Sequence, residues 1–216
     1  MIYAGLDGIP IVRGSLVVPA WGIWHADVYL DRGDALSGKV TLQLADITAQ
    51  GTIVRGISFL GQSGYRVVGG AAGWQTDIAA RQYANPVALT LSTVLTDTAA
   101  TIGETVVIPS DRTIGTAYVR QAGRASLVLQ QLAQGAWYVD YDGKTYAQAR
   151  QAGTVTSQWS VIDATQPSTA YVVATEYPGD WLPGRAFKSE AIAGTINRVR
   201  HVIAPGKLRT EVLADV

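Results

Sequence analysis

The sequence predicts a mainly β protein with an α+β insertion, in which two small β-barrels flank a helix-containing middle segment. Three observations lead to this prediction. Apolar residues alternate with polar ones from Leu16 to Val68, helical spacing replaces this alternation after Gly73, and the alternation returns from Val155 onward. The expected boundaries are residues 1–73 for the first barrel, 74–150 for the middle segment and 151–216 for the second barrel.

The first part of the chain contains short half-buried strands separated by tight turns. In WHADVYL, Trp24, Ala26, Val28 and Leu30 share one face, and KVTLQLAD repeats the pattern. GTIVRGISFLG and YRVVGG add two runs that are rich in Val and Ile and bounded by glycines. About five short strands with tight turns favour a closed or partly closed barrel, because closure removes exposed strand edges.

The middle segment is predicted to begin with two helices. Thr76 is a candidate N-cap of a short helix, and Asn85-Pro86 would end that helix and begin the next one. The second helix would place Leu91 and Leu95 on one apolar stripe.

A third helix and a hairpin are predicted to follow. TAYVRQAGRASLVLQQLAQG places Tyr118, Leu129 and Leu132 on one helical face, with Gly135 where a C′ glycine is expected. WYVDYDGKTY is typical of a hairpin, in which Asp142-Gly143 suits a two-residue type I′ turn. The middle of the chain is therefore expected to be α+β.

The last part of the chain repeats the period-two pattern. Val155, Ser157, Trp159 and Val161 share a face, and TAYVVATEY, TINRVRHVI and KLRTEVL are further candidate strands. The turn signals between them are Gln166-Pro167, Pro178-Gly179, Pro183-Gly184 and Pro205-Gly206. A second small β unit is the prediction.

Composition narrows the function classes. The chain has 17 Lys and Arg against 17 Asp and Glu, so it lacks the basic excess that drives general binding to phosphate backbones, and nucleic acid is not expected as the main partner. It has no cysteine, which excludes disulfides, thiolate metal ligands and a cysteine nucleophile. We also expect no secretory signal and no membrane-spanning segment, because neither pattern is present.

No residue of the sequence is assigned a catalytic, cofactor-binding or metal-ligating role. His25 and His201 are isolated within predicted strands, and neither forms a ligand pair with another histidine. Asp140 and Asp142 share a strand face, but Asp142 is needed for the Asp-Gly turn. No cofactor is predicted, and the protein is not expected to be an enzyme.

The glycine-rich run VVGGAAGW has one feature of an anion-binding loop, because it lies between a predicted strand and a predicted helix. Glycines between a strand and a helix can cradle a phosphate at the helix N-terminus. The spacing matches neither the P-loop nor the dinucleotide-binding fingerprint, and GQSG at residues 61–64 is better explained as a hairpin turn than as a nucleophile elbow. A tight exit from the first barrel is the favoured interpretation of the run.

Three residues are candidate interface contacts. Trp and Tyr account for 16 of the 18 aromatic residues, and both are enriched at protein interfaces. Trp181 lies between two Pro-Gly pairs, where a contact at a loop tip competes with packing of the loop on its own barrel. Arg198 and Arg200 share one face of a strand and would serve a polar or acidic neighbour, although solvation explains them almost as well.

The order of these pieces resembles a known family. WGIWHADVYLDRGDALSGKVTLQLADITAQGTIVRG followed by YRVVGGAAGW resembles the first barrel of tailed-phage baseplate hub (tail hub) proteins, which are related to contractile-tail and type VI secretion spike hubs. ASLVLQQLAQGAWYVDYDGKTY is similar to the α+β segment of that family, and INRVRHVIAPGKLRTEV to the close of its second barrel. The resemblance spans most of Leu16 to Val212.

The resemblance implies a structural role in the virion. Two similar barrels per chain would let three subunits build a pseudo-sixfold ring that continues the tail tube. It also implies a homotrimer that contacts the tail tube or distal tail protein, the tape measure and a central spike or fibre protein, located at the tail tip and assembled in the host cytoplasm. The chain is shorter than many hub proteins, and it lacks the cysteines that bind an iron–sulfur cluster in some tail-tip proteins.

Three alternatives remain open. A distal tail or other tail-tube protein is of the same class and would be sixfold. A carbohydrate-binding module would stack Trp and Tyr faces on sugar rings. A hydrolase with a site that one sequence cannot reveal is the third.

Overall fold

Long strands dominate the structure. The computed structural model describes residues 3–31, 33, 35–59, 61–165, 169–190 and 192–215. The predicted turn at Gln166-Pro167 therefore lies outside the described residues. The first part of the chain forms β1 (Ala4–Leu6), β2 (Ile9–Pro19), β3 (His25–Leu30), β4 (Gly38–Leu44), β5 (Ile47–Phe59) and β6 (Gln62–Gly69).

The middle and last parts complete the element order. One 3₁₀ turn at Gly73–Gln75 leads into the middle segment, and another lies at Pro178–Asp180 in the last part of the chain. The middle elements are β7 (Asp77–Ile78), β8 (Arg81–Thr90), α1 (Leu91–Thr101), β9 (Val106–Val107), β10 (Thr113–Arg120), β11 (Gly123–Arg124), α2 (Ser126–Leu132), β12 (Tyr138–Val139) and β13 (Thr145–Tyr146). The last elements are β14 (Gly153–Thr154), β15 (Trp159–Thr165), β16 (Ala170–Thr175), β17 (Arg185–Lys188), β18 (Ala193–Ala204) and β19 (Lys207–Asp215).

The first six strands form a closed barrel. Their order is β1-β4-β5-β6-β3-β2, and β2 pairs back to β1 through Gly5↔Pro10 and Leu6↔Ile9. Alternate residues of each strand point inward, so that Leu16, Leu42 and Val67 lie in one core. The mainly β architecture with a first small barrel is thus as predicted.

The last six strands curve around a second core. Their order is β14-β17-β18-β19-β16-β15, so β14 and β15 are the two ends of this sheet among the described residues. Trp159 on β15 lies with its ring centroid 6.0 Å from that of Phe187 on β17, across the core. Side-chain packing thereby brings opposite ends of the sheet together in a second, barrel-like unit.

The two barrels share one continuous sheet. Residues Arg198 to Ile203 of β18 pair with residues Gly14 to Pro19 of β2 in antiparallel register. The first core also includes residues of the middle segment, such as Val94, Leu129 and Trp137, whereas the second core is separate. The middle segment is therefore packed against the first barrel, and the boundaries at residues 73 and 150 stay predictions.

The first predicted helix of the middle segment is wrong, and the second begins later than expected. Thr76 follows a 3₁₀ turn and precedes β7, and Asn85-Pro86 lies inside strand β8. Helix α1 begins at Leu91, where the Thr90 side chain caps it, and it carries Leu91 and Leu95 in the core as predicted. Strand β8 forms because β10 supplies a ladder partner, a pairing that local spacing cannot reveal.

Only the second half of the third predicted helix is helical. Tyr118 lies on β10 opposite Tyr83, with the two ring centroids 6.3 Å apart. Helix α2 contains Leu129 and Leu132. Its C-cap is Ala133, so the C′ position is Gln134, with φ +52°, and Gly135, with φ +79°, lies one residue beyond its predicted C′ position. Tertiary pairing therefore overrides the helical spacing of residues 116–122.

The predicted hairpin is present with a different turn. Strands β12 and β13 pair through Tyr138↔Tyr146, and the Gly143 N–H donates to the Asp140 carbonyl at 3.1 Å. Gly143 has φ +77°, but Asp142 is not in the left-handed region, which a type I′ turn would require. The loop is thus a longer one that needs a glycine at a single position.

Candidate subunit interface

Eight strands form one uninterrupted path through both barrels. The order is β5-β6-β3-β2-β18-β19-β16-β15, and within the described residues β15 pairs with β16 alone. Its outer backbone edge is therefore free. On this strand Val161 is 40% exposed and Ile162 is 48% exposed. A free strand edge with exposed apolar side chains is typical of a surface that pairs with another chain.

The other end of the path has a similar edge. Strand β4 pairs with β5 only as far as Gly38↔Ile53, whereas β6 accompanies β5 to its end at Phe59. Among the described residues, the segment 54–59 thus has a ladder partner on one side only. Val54 is 43% exposed and Ile57 is 55% exposed. The path therefore ends in an apolar free edge on each side.

Arg198 and Arg200 lie on the face of β18 that points away from both cores. Both side chains are exposed, and Arg200 Nη1 lies 3.2 Å from Glu211 Oε2 on β19. Arg198 faces Leu213 on one side and Pro19 on the other. The prediction that these arginines share a strand face is confirmed in position, and their role in an interface stays a prediction.

Trp181 is not at an exposed loop tip. Its side chain is fully buried, with its ring centroid 5.3 Å from that of Trp159 and 5.6 Å from that of Phe187. Trp181 thus packs in the core of the second barrel, to which its loop belongs. The same loop also contacts the first barrel, because the Gly179 N–H donates to the Asp46 carboxylate at 3.0 Å. Packing of the loop on its own barrel, the competing interpretation, is the one that the structure bears out.

The two histidines occupy different environments. His201 is fully buried, and burial lowers its pKa to about 3. Its Nδ1 lies 3.0 Å from the Thr210 hydroxyl. His25 is half-buried, and burial, followed by the charges of Arg66 and Arg198, lowers its pKa. Within the described part of the chain, no group of three or more His, Asp or Glu side chains is arranged to hold a metal ion.

Asp140 and Asp142, the two aspartates of the hairpin, form their polar contacts with residues of the same chain. Asp142 accepts hydrogen bonds from the Lys144 N–H at 2.9 Å and from the Tyr146 hydroxyl at 3.0 Å. Asp140 lies 3.5 Å from Arg150, whose guanidinium stacks 4.0 Å from the ring centroid of Tyr138. These contacts order the hairpin.

An exposed apolar tip on the β8–β10 ribbon was missed by sequence reasoning. Residues 85–88 bulge from β8, because the ladder passes from Leu89↔Gly115 to Ala84↔Ala117. The Asn85 side chain accepts a hydrogen bond from the Val87 N–H at 3.0 Å and so holds the bulge. Val87 at its tip is 88% exposed. Asn85-Pro86 was the available signal, but it was interpreted as a helix boundary.

No family model and no curated protein matches the sequence, but solved structures match the fold. One is the 43 kDa tail protein of prophage MuSo2 from Shewanella oneidensis, with TM-score 0.67, 9% identity, and coverage of 97% of this chain and 96% of that chain. Another is a tail protein from Neisseria meningitidis, with TM-score 0.58, 10% identity, and coverage of 97% and 95%. This chain has the fold of phage tail proteins.

The tail-protein fold also extends to secretion systems. An Escherichia coli component of the type VI secretion system, described as structurally similar to the T4 bacteriophage tail proteins gp27 and gp5, matches with TM-score 0.63 and 10% identity. The match covers 99% of this chain and 77% of that chain. The predicted resemblance to the tail hub family is thereby confirmed at the level of the fold. None of the helices described here is long and apolar enough to cross a membrane.

Proposed function

We propose that this chain is a structural subunit of a bacteriophage tail tip, a baseplate hub protein whose copies form a ring that continues the tail tube. The ring is a homotrimer, located at the tail tip of the virion and assembled in the host cytoplasm. Its neighbours are the tail tube or distal tail protein, the tape measure and the central spike or fibre protein. In this role the chain acts by assembly and performs no catalysis.

The observation that best supports the proposal is the eight-stranded path with two free apolar ends. If the β15 edge of one copy pairs with the 54–59 edge of the next, the sheet continues from subunit to subunit. Such a head-to-tail contact uses two different surfaces, so it must close into a ring to avoid a filament. The number three follows from the resemblance to hub proteins, in which two similar barrels per chain approximate sixfold symmetry.

The same edges would serve a distal tail or tail-tube protein, the alternative of the same class. That alternative predicts six copies per ring. The carbohydrate-binding alternative is weaker, because its candidate side chain, Trp181, is buried. Counting subunits therefore distinguishes a trimeric hub protein from a sixfold distal tail or tail-tube protein.

The experiment uses the full chain and two edge variants. Ile162→Lys places a charge on the β15 edge, and Ile57→Lys places one on the 54–59 edge; each should block one side of the contact. Leu127→Lys is the matched control, because Leu127 is 44% exposed on helix α2, away from both edges. Mass photometry and light scattering then report the mass of each sample.

We expect the unmodified chain and the control to have three times the subunit mass of 22.9 kDa. Each edge variant should be a monomer with an unchanged unfolding midpoint. A mixture of the two edge variants should form a two-chain complex, because one intact pair of edges remains and the ring cannot close. Six copies would favour the distal tail alternative. A monomeric unmodified chain at tens of micromolar, or homo-oligomers of both edge variants, would contradict the proposal.

A further inference from the structure

Two matching clefts lie on the face of the sheet that points away from the cores. The first cleft, on the first barrel, has a volume of about 380 Å³ and contains Arg55, Arg66, Asp27 and Ile57. The second cleft, on the second barrel, also has a volume of about 380 Å³ and contains Arg198, Arg200, Glu211 and Leu213. Each cleft therefore combines two arginines and one carboxylate with an exposed aliphatic side chain, Ile57 in the first and Leu213 in the second.

Backbone pairing places both clefts on the same face. Arg55 pairs with Arg66, and Arg66 with Asp27, so these side chains share a face of the first barrel. His25 and Arg200 both lie opposite Val17 of β2, one on each side. His25 lies between the clefts on β3, where it pairs with Val68 of β6 on one side and with Val17 of β2 on the other.

Each cleft has one surplus positive charge. Asp27 binds Arg66 at 2.8 and 2.5 Å, and Glu211 binds Arg200 at 3.2 Å. Arg55 and Arg198 are exposed, and neither forms an ion pair within the described residues. Like charges directly opposite each other in a ladder are destabilising, and Arg55 lies opposite Arg66. An anionic group bound at Arg55 would relieve this repulsion, and one bound at Arg198 would neutralise the surplus charge of the second cleft.

We infer that this face binds an extended polypeptide segment that presents acidic and apolar side chains on the same one of its two faces. A carboxylate of the segment would pair with Arg55 in one cleft and with Arg198 in the other. Apolar side chains would cover Ile57 and Leu213, which are 55% and 45% exposed. The bidentate geometry of arginine suits carboxylates.

A peptide fits this face better than a nucleic acid does. The phosphate backbone carries a charge at every nucleotide, and Asp27 and Glu211 would repel the phosphates next to each surplus arginine. It also has no apolar group for Ile57 and Leu213. The chain as a whole has no basic excess to attract a polyanion.

The distance between the clefts limits the spacing of the acidic residues in the peptide. The central strands of the two clefts, β6 and β19, are separated by four steps in the sheet, or about 19 Å at ~4.8 Å per step. An extended peptide rises ~3.3 Å per residue, so its two acidic residues would be about six positions apart. Arg55 and Ile57 also lie in the 54–59 edge, but edge pairing uses backbone groups and leaves side chains on the outward face accessible. The inference concerns one subunit and does not depend on ring formation.

Fluorescence anisotropy on the full chain tests it. The probe is a fluorescein-labelled peptide with two Leu-Ser-Glu groups in a Gly/Ser background, whose glutamates are six positions apart, so that each Leu and Glu point to the same side of the extended chain. The comparison probes are the same peptide with Gln in place of Glu and a labelled single-stranded DNA. The variants are Arg55→Gln, Arg198→Gln and the double variant. Arg124→Gln is the control, because Arg124 is exposed on β11, outside both clefts.

We expect the Glu peptide to bind and each single variant to weaken it about tenfold, as loss of one charge-assisted hydrogen bond does. The double variant should weaken binding about a hundredfold, and the control should leave it unchanged. Absence of peptide binding, equal binding of the Gln peptide, tighter binding of the DNA, or variants that behave like the control would overturn the inference. The mass of every sample, measured in parallel, should be that of the unmodified chain, so that a loss of binding is distinguished from a failure to assemble.

Discussion

Glu104 accepts a hydrogen bond from the backbone N–H of Gly73 at 2.7 Å, and this contact explains the glycine-rich run after the first barrel. The Ala71 N–H also donates to the carboxylate, at 3.1 Å. Gly70 and Ala72 have φ +74° and +65°, so the loop turns its N–H groups inward. The loop therefore has the form of an anion site, and a side chain of the same chain fills it.

Substitution of Glu104 is expected to destabilise the protein. Glu104→Ala leaves the N–H groups of the half-buried Ala71 and the buried Gly73 without an acceptor, and we expect a loss of about 2–3 kcal/mol in the free energy of unfolding. Glu104→Gln keeps one oxygen acceptor and should lose less. Urea unfolding followed by tryptophan fluorescence measures both. Equal stability of the Ala variant and the unmodified chain would contradict a structural role for this carboxylate.

His201 should make the stability depend on pH. Burial lowers its pKa in the folded state to about 3 from 6.5, so the unfolded chain binds a proton that the folded chain excludes. The stability contribution is constant above about pH 6.5 and falls as the pH decreases from there towards 3. The loss should be about 2 kcal/mol between pH 6.5 and pH 5.

The matched variant isolates this contribution. His201→Gln does not titrate and can still reach the hydroxyl of Thr210, so its stability should change less over the same pH interval. Urea midpoints at pH 7.5, 6.5 and 5 for both proteins give the difference. Parallel pH curves for the two proteins would rule out His201 as the source.

Arg120 should anchor the β8–β10 ribbon to helix α1. Its side chain is only 6% exposed, and it donates to the Tyr83 hydroxyl at 3.1 Å and to the Thr98 hydroxyl at 3.0 Å, with Asp97 at 3.7 Å. Removal of one member of a buried charged network costs about 3 kcal/mol or more. Arg120→Met should therefore lower the free energy of unfolding by that amount and increase hydrogen exchange in β8 and β10.

Arg81 is the control for that experiment. It also pairs with Asp97, at 2.7 Å, but its side chain is 53% exposed. Exposed ion pairs contribute less than about 1 kcal/mol, so Arg81→Met should be mild. If the two variants lost the same stability, the burial of Arg120 would not be the deciding factor.

Trp181 should contribute to stability in the isolated subunit. Trp181→Ala leaves a cavity between Trp159 and Phe187, and we expect a loss of about 3–5 kcal/mol. Trp21 is 68% exposed, so Trp21→Ala should change stability by less than about 0.5 kcal/mol. Thermal unfolding compares the two. A Trp181→Ala variant as stable as the unmodified chain would show that the second core does not depend on this ring.

Strand prediction succeeded where one face is buried and the other exposed. The alternation in HADVYL is reproduced as buried Ala26, Val28 and Leu30 on β3. The helix prediction failed at Tyr118. Its spacing to Leu129 fits a helix, but Tyr118 belongs to strand β10 and Leu129 to helix α2. The orientation of Trp181 stayed open between contact and packing, because flanking prolines and glycines indicate a turn without showing which side of it is buried.

The sequence by itself determined the mainly β class with helix in the middle of the chain, and most strand cores, because the period of burial is a local property. The tertiary structure alone decided that β2 and β18 pair, that Glu104 fills the loop at Gly73, and that, within the described part of the chain, residues 54–59 of β5 and strand β15 have a ladder partner on one side only. Such contacts join residues far apart in the chain. The free energy of these contacts depends on which surfaces of the folded chain meet, and the local pattern of neighbouring residues does not determine this.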